Sequence, residues 1–253
     1  MPRWTFIIGA ALVVLLLVGT VIAVVVSTAR RRTSSDDPST VVRVTQIVAT
    51  VWAAVASIGA IATVVIILAT PDVTITMPVT SFWPELPSGV LGGGTDAERL
   101  GGGFDSVTLT LAGLSAGART LWAISQALGW LLPGAIALLV AVACTHLRRG
   151  QAFAPVVARV TMVAAAIVAG GGVLTQVLGD IAGSIASSEV FGYSTAVWGD
   201  IPGVDDPIAA WLPQPTVQIV FPLWPIAAGL ALAALAAIFR YGSRLQHEVK
   251  GLV

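Results

Sequence analysis

The sequence predicts an all-α membrane protein with five transmembrane helices: a four-helix core, an N-terminal anchor helix and a small extracytoplasmic β element. Three observations predict this class. Hydrophobic residues make up 56% of the 253 residues and charged residues only 10%, whereas ordinary globular domains carry about 25% charged residues. Five apolar stretches are long enough to cross a bilayer, which takes about 20 residues. The basic residues cluster at alternate ends of these stretches, as in multi-pass membrane proteins.

The first apolar stretch predicts a retained anchor rather than a cleaved signal peptide. It is longer than the apolar region of a signal peptide, which is roughly 7–15 residues, and the basic run Arg30, Arg31 and Arg32 follows it. The five predicted spans are residues 4–26, 45–69, 120–145, 156–178 and 220–239. The predicted organisation is an anchor over 1–28, a cytoplasmic linker over 29–44, and a four-helix membrane domain over 45–253 with outer loops 71–119 and 183–219.

The arginines predict the orientation of the chain. Cytoplasmic loops of membrane proteins collect Lys and Arg, so the basic clusters place the N-terminus outside and the C-terminus in the cytoplasm. A four-helix or six-helix topology would put one cluster on the wrong side. Arg is used almost to the exclusion of Lys, which indicates a bacterial source and hence the bacterial plasma membrane. The clusters are Arg30, Arg31, Arg32 and Arg43, then Arg148, Arg149 and Arg159, then Arg240, Arg244 and Lys250.

The two outer loops contain the segments that predict the β element. In residues 72–77 and 106–111 every second residue is apolar, which is the pattern of a half-buried strand. Residues 195–198 and 216–219 are further strand candidates, and residues 207–212 predict a short interfacial helix. Because a hairpin alone is marginally stable in water, we expect one sheet assembled from both loops; a pair of mobile loops is the alternative. The predicted inward residues are Val73, Ile75, Met77, Val107, Leu109 and Leu111.

Two charged residues at the predicted outer membrane surface are candidates for an ion pair. Asp180 is the one acidic residue close to a span, and Arg119 stands at the outer start of the third span. We expect them to pair at the headgroup level, where a charge is only weakly desolvated. Ion coupling by Asp180 is the alternative, because ionisable residues inside membranes are usually functional.

Small residues and one proline predict how the helices pack. Gly179 and Gly183 form a G-x-x-x-G pattern, which lets another backbone approach closely. The pattern does not decide between internal packing and self-association, so the oligomeric state stays open. Pro133 lies at the midpoint of the third span, where it removes one backbone hydrogen bond. We interpret it as a packing feature.

No residue set in the sequence predicts catalysis. His146 and His247 lie in no metal-binding pattern, and Cys144 is the only cysteine, which excludes an intramolecular disulfide and a cysteine-based zinc site. The chain has no phosphate-binding loop, no nucleophile motif, and no basic face with interleaved aromatic residues. We therefore expect no enzymatic activity, no cofactor, no metal site and no direct binding of nucleic acid.

The two cytoplasmic tails carry a resemblance to a known family. Residues 148–155 read Arg-Arg-Gly-Gln-Ala-Phe-Ala-Pro, and residues 237–253 end in Gly-Leu-Val. The first segment resembles the inner-loop motif, and the second the C-terminal signature, of the bacterial domain of unknown function numbered twenty-nine seventy-five. The match covers roughly residues 41–253 and leaves the first helix as an addition; Lys250 departs from an often acidic position. The resemblance implies a four-helix membrane fold, no catalytic residues, and a small helix-turn-helix regulator as a cytoplasmic partner.

Two hypotheses for function follow from these observations. The leading one is a membrane protein that acts by protein interaction or regulation through its cytoplasmic tails. The alternative is a small transporter or channel subunit, which needs a polar cavity within the bundle. The polar residues available for such a cavity are Ser125, Gln126, Thr175 and Gln176. The candidate interaction residues of the tails are Arg148, Arg149, Gly150, Arg240, Gly242 and Arg244.

Overall fold

The chain folds into long helices joined to one small sheet. The structure is a computed structural model that describes residues 38–84, 100–149, 154–193, 195, 197 and 206–250. The predicted anchor over residues 1–28 lies outside the described residues. The elements in chain order are α1 (Pro38–Ala69), β1 (Asp72–Phe82), β2 (Phe104–Ala112), α2 (Ala116–Arg148), α3 (Pro155–Phe191), α4 (Pro207–Trp211) and α5 (Trp224–Lys250).

Four of the described helices, α1, α2, α3 and α5, are long and apolar enough to cross a membrane. They match the second to fifth predicted spans, but their boundaries differ, most notably at three positions. Helix α1 begins at Pro38, so part of the predicted 29–44 linker is helical. Helix α3 continues to Phe191, so residues 183–191 are not a loop, because small buried residues there pack the helix against the sheet. Helix α5 begins at Trp224, with Pro225 in its first turn, where the missing N–H of proline costs nothing.

The chain divides into two compact units, and each long helix contributes a segment to both. The first unit contains Met1–Ala56, Pro133–Ala166 and Gly229–Val253, and the second contains Ser57–Leu132 and Ile167–Ala228. In the first unit, alanine dominates the buried positions, with Ala56, Ala164 and Ala236 almost fully covered. Small side chains let helix backbones approach closely. One polar contact adds to this packing: Gln46 on α1 donates a hydrogen bond to the Thr145 hydroxyl on α2.

The sheet belongs to the second unit and confirms the two strands predicted in the first loop. Strands β1 and β2 are antiparallel, in a register that runs from Asp72 opposite Ala112 to Pro78 opposite Ser106. Val73, Ile75 and Met77 are buried, as the alternation predicts. On the opposite face, cross-strand threonine pairs are hydrogen-bonded through their hydroxyl groups.

The second loop does not supply further strands among the described residues. Residues 216–219 are not in a strand, and of residues 195–198 only Thr195 and Val197 are described, neither in a strand. The contact between the loops is an isolated bridge between Val79 and Pro215. Proline has no N–H to donate, which prevents a regular ladder at this point. The predicted short helix is confirmed as α4, where a carboxylate oxygen of Asp206 accepts the first free N–H groups.

The buried face of the sheet packs directly against α2 and α3. Ile75, Met77 and Val79 form one core cluster with residues of both helices. A Cβ added at Gly183 would lie 2.7 Å from the Thr76 carbonyl oxygen, so glycine at this position lets α3 touch the strand backbone. The contacts of the G-x-x-x-G pattern are therefore internal. The helix and loop members of the cluster are Leu114, Ala118, Ala182, Ala186 and Phe191.

A polar cavity in the second unit

The second unit contains a partly open cavity of about 320 Å³ with many polar residues in its lining, here called the polar cavity. Its wall combines residues from α2, from α3, from the two strands and from the segment before α5. All four polar residues that the sequence offered for a cavity line it. The lining residues are Thr76, Met77, Pro78, Ser106, Trp122, Ser125, Gln126, Thr175, Gln176, Gly179, Asp180, Gly183 and Gln218.

Helix α2 presents Trp122, Ser125 and Gln126 to the cavity. Residues three and four apart lie on the same side of a helix, which brings these side chains together. The Trp122 indole N–H donates to the Thr74 carbonyl oxygen at 3.2 Å, and this hydrogen bond ties the ring to strand β1. Gln126 is half-buried.

Helix α3 supplies the opposite wall through Thr175, Gln176, Gly179 and Asp180, which recur at helical spacing. The Ser125 hydroxyl donates to the Thr175 carbonyl oxygen at 2.8 Å, which links α2 to α3. A Cβ added at Gly179 would lie 2.9 Å from the Ser125 Oγ. This glycine therefore sets how closely the two helices approach beside the cavity.

The carboxylate of Asp180 is held by two neutral donors. One oxygen accepts from the Gln176 side-chain amide at 2.8 Å. The other accepts from the backbone N–H of Val220 at 2.7 Å. This second bond fixes the segment before α5 against α3, and no local sequence pattern pointed to it.

Arg119 does not pair with Asp180, and the expected ion pair is corrected. Its guanidinium donates to the Ile67 carbonyl oxygen at 2.8 Å and also to the Thr70 carbonyl oxygen. The last carbonyl groups of a helix have no partner within the helix, and those at the end of α1 attract the Arg119 donors. Its Nε atom is buried without a hydrogen bond in the described part of the chain.

The remaining wall comes from residues that the sequence analysis did not single out. Thr76, Ser106 and Gln218 reach the cavity from β1, β2 and the segment before α5. These positions are far apart in sequence, and only the pairing of the strands and their packing on α3 brings them together. Their composition alone carried no signal, since Thr and Ser are common in exposed strands.

The predicted interaction tails lie in the first unit. Arg148 is exposed and donates to the Gln46 side-chain oxygen at 2.9 Å, and Arg149 is exposed beside it. Gly150 lies outside the described residues. On α5, exposed Arg240 and Arg244 border a groove of about 330 Å³ whose floor is apolar, and Gly242 is half-buried.

Within the described residues, no group of three or more His, Cys, Asp or Glu could hold a metal ion. His146 is half-buried, and its Nδ1 atom has no hydrogen-bond partner there. His247 lies in α5. His146 is not among the residues that line the polar cavity.

Comparisons of the chain with protein-family models, with curated proteins and with solved structures found no match. The resemblance to the family of unknown function rests on residues 148–155 and 237–253 and stays a prediction.

Proposed function

We propose that the chain is a non-enzymatic, multi-pass protein of the bacterial plasma membrane that binds a cytoplasmic protein through the basic ends of its helices. The distribution of charge over the two units carries this proposal. In the first unit, every Asp, Glu, Lys or Arg whose side chain the structure describes is an arginine. In the second unit, the described charged residues are acidic, except Arg119. The arginines of the first unit are Arg43, Arg148, Arg149, Arg159, Arg240 and Arg244; the acidic residues of the second are Asp72, Asp105, Asp180, Glu189 and Asp206.

This distribution supports the proposed orientation. Basic residues favour the cytoplasmic side of a membrane, so the helix ends that carry the arginines are assigned to the cytoplasmic side and the acidic segments to the outside. The four candidate spans are compatible with this arrangement. The C-terminal end of α5 then lies in the cytoplasm, and the predicted outer N-terminus falls outside the described residues.

The exposed arginines of the tails support a protein partner with an acidic surface. Arg148, Arg149, Arg240 and Arg244 are exposed, and the part of their unit with described side chains offers no carboxylate to neutralise them. Complementary charge steers association and selects the partner more than it adds affinity. A small helix-turn-helix regulator is the partner that the family resemblance of the tails implies, and the exposed arginines would favour an acidic face on it.

A cross-linking pull-down tests this proposal. The full-length protein is compared with two charge-removed variants, Arg148→Gln with Arg149→Gln, and Arg240→Gln with Arg244→Gln. Arg159→Gln is the matched control, because Arg159 is exposed in the same unit but lies outside the tails. We expect both double variants to lose a protein that the wild type and the control retain, and the purified protein to bind it less tightly at high salt. Identical partner lists for the wild type, the two double variants and the control would contradict the proposal.

A small transporter or channel subunit is the second candidate function. One observation favours it: Ser125, Gln126, Thr175 and Gln176 line a single cavity, as a solute pathway would require. Reconstituted full-length protein in liposomes tests it by uptake of monovalent ions and small polar solutes. Uptake above that of protein-free liposomes, reduced by Asp180→Asn, supports the candidate. Uptake equal to that of empty liposomes for every solute rejects it.

A further inference from the structure

We infer that the polar cavity of the second unit binds a small organic cation, with Asp180 as the charge partner and Trp122 as the aromatic wall. The inference rests on the geometry of the cavity, and on neither of the two functions proposed above. Binding does not require transport, and it does not require a cytoplasmic partner.

The charge of the cavity wall favours a positively charged ligand. Asp180 is the only charged residue among the described residues that line the cavity. Its two hydrogen-bond donors, the Gln176 amide and the Val220 N–H, are neutral, so they orient the carboxylate without cancelling its charge. Arg119, the nearest candidate counter-ion in the sequence analysis, is bound to carbonyl groups at the end of α1. A lone carboxylate in a partly desolvated cleft attracts a positive ligand.

The volume of the cavity favours an organic cation over a bare metal ion as the ligand. A water molecule occupies about 30 Å³ of liquid, so a cavity of about 320 Å³ holds far more than one ion. Divalent metal ions also need several oxygen ligands, usually with more than one carboxylate. No cluster of three metal-binding residues occurs in the described part of the chain. Small-molecule sites begin at about 300 Å³, which fits a compact ligand.

The aromatic and amide groups of the wall suit an alkylammonium group. The ring of Trp122 is tied to strand β1 by its hydrogen bond to the Thr74 carbonyl oxygen, and Trp122 lines the same cavity as Asp180. Cations bind aromatic faces, and tryptophan binds them best. Gln126 and Gln218 also line the cavity, and an amide oxygen is an acceptor for an ammonium or hydroxyl group.

Calorimetric titration of the full-length protein in nanodiscs tests the inference. The probes are choline and tetramethylammonium, with 3,3-dimethyl-1-butanol as the uncharged counterpart of choline. The variants are Asp180→Asn, which retains an acceptor for the Val220 N–H, and Trp122→Leu. The matched control is Asp72→Asn, which removes an exposed carboxylate of the same unit that does not line the cavity. Thermal unfolding of each variant shows that it is folded.

We expect saturable binding of at least one cation and weaker binding of the uncharged counterpart. Asp180→Asn should weaken cation binding about tenfold or more, the scale of a lost close charge contact, and Trp122→Leu should weaken it several-fold. Asp72→Asn should leave it unchanged. The inference is overturned if neither cation binds saturably, if the uncharged probe binds as tightly, or if folded Asp180→Asn binds like the wild type.

Discussion

Arg119 and Asp180 form hydrogen bonds with backbone groups in place of the expected ion pair with each other. Both lie in the second unit, and opposite charges at the predicted membrane surface made a pair the simplest expectation. Each instead binds backbone groups: Arg119 binds carbonyl groups at the end of α1, and Asp180 binds the Val220 N–H. Helix ends and loop segments carry backbone groups without partners, and these compete with an ion pair. The sequence shows which charges are present but not which backbone groups are left unpaired.

A double-mutant cycle between Arg119 and Asp180 tests this separation. Arg119→Gln alone should destabilise the protein by about 1–3 kcal/mol, because charge-assisted hydrogen bonds to two carbonyl groups are weakened. The coupling energy with Asp180→Asn should lie below about 0.5 kcal/mol, the limit of additivity for independent sites. Unfolding free energies of the wild type, both single variants and the double variant in the same detergent provide the measurement. A coupling energy above about 1 kcal/mol would indicate that Arg119 and Asp180 do form an ion pair, contrary to this prediction.

Gly183 has a steric role that its sequence pattern only partly indicated. The G-x-x-x-G spacing predicts close approach of another backbone, and the structure shows that this backbone is strand β1. Gly183→Ala would place a methyl group 2.7 Å from the Thr76 carbonyl oxygen, and a strand backbone cannot move aside cheaply. We expect a loss of about 1–3 kcal/mol in unfolding free energy, the usual cost of overpacking.

Gly170→Ala is the control for this prediction, because it lies on the same helix and a Cβ there meets nothing within 4 Å. It should be neutral or stabilise the protein by up to about 1 kcal/mol, through the higher helix propensity of alanine. Thermal and denaturant unfolding of the two variants gives the comparison. Equal stabilities of Gly183→Ala and Gly170→Ala would contradict the contact between α3 and β1.

Among the elements, the strands of the first loop were predictable and the length of α3 was not. Strict alternation over residues 72–77 and 106–111 has one physical interpretation, since side chains of a strand alternate between its faces. The end of α3 has no such signal. Residues 183–191 are Gly, Ser, Ala and a few larger residues, a composition equally typical of a loop. They stay helical because Ala186 and Phe191 are buried in the core cluster with Ile75 and Met77.

Disulfide trapping tests the register of the two strands. In a Cys144→Ala background, Thr74→Cys with Thr110→Cys should cross-link readily on mild oxidation, because their hydroxyl oxygens lie 2.9 Å apart in the wild type. Thr74→Cys with Thr108→Cys is the control, shifted by two residues, and should cross-link much more slowly, since a disulfide needs Cβ atoms about 3.8 Å apart. Gel mobility with and without reductant measures the yield. Preferential cross-linking of the shifted pair would show that the register is wrong.

At the scale of the whole molecule, the charge distribution predicts which helix ends and which connecting segments face the cytoplasm. Single cysteines in the Cys144→Ala background report this with a membrane-impermeant maleimide on intact cells. Thr110→Cys in the second unit should be labelled from outside, whereas Arg149→Cys in the first unit should be labelled only after the membrane is permeabilised. Both positions are exposed in the structure. The opposite labelling pattern would reverse the proposed orientation.

The cavity could be predicted only in part. Its helix residues Ser125, Gln126, Thr175 and Gln176 were recognisable, because polar side chains are rare within apolar spans. The residues from the strands and from the segment before α5 were not, because their proximity depends on long-range contacts such as that between Ser184 and Gln218. Asp180 was recognised, but with the wrong partner.

By itself, the sequence determined the mostly helical character of the described chain, its four helices long and apolar enough to cross a membrane, the two strands of the first loop and the short helix α4. These features depend on composition and on local periodicity, which a linear sequence records directly. The tertiary structure decided the extent of α3, the separate partners of Arg119 and Asp180, the internal contacts of Gly179 and Gly183, and the polar cavity. These depend on which backbone groups and small residues meet across long distances in the chain, and a sequence pattern does not specify those contacts.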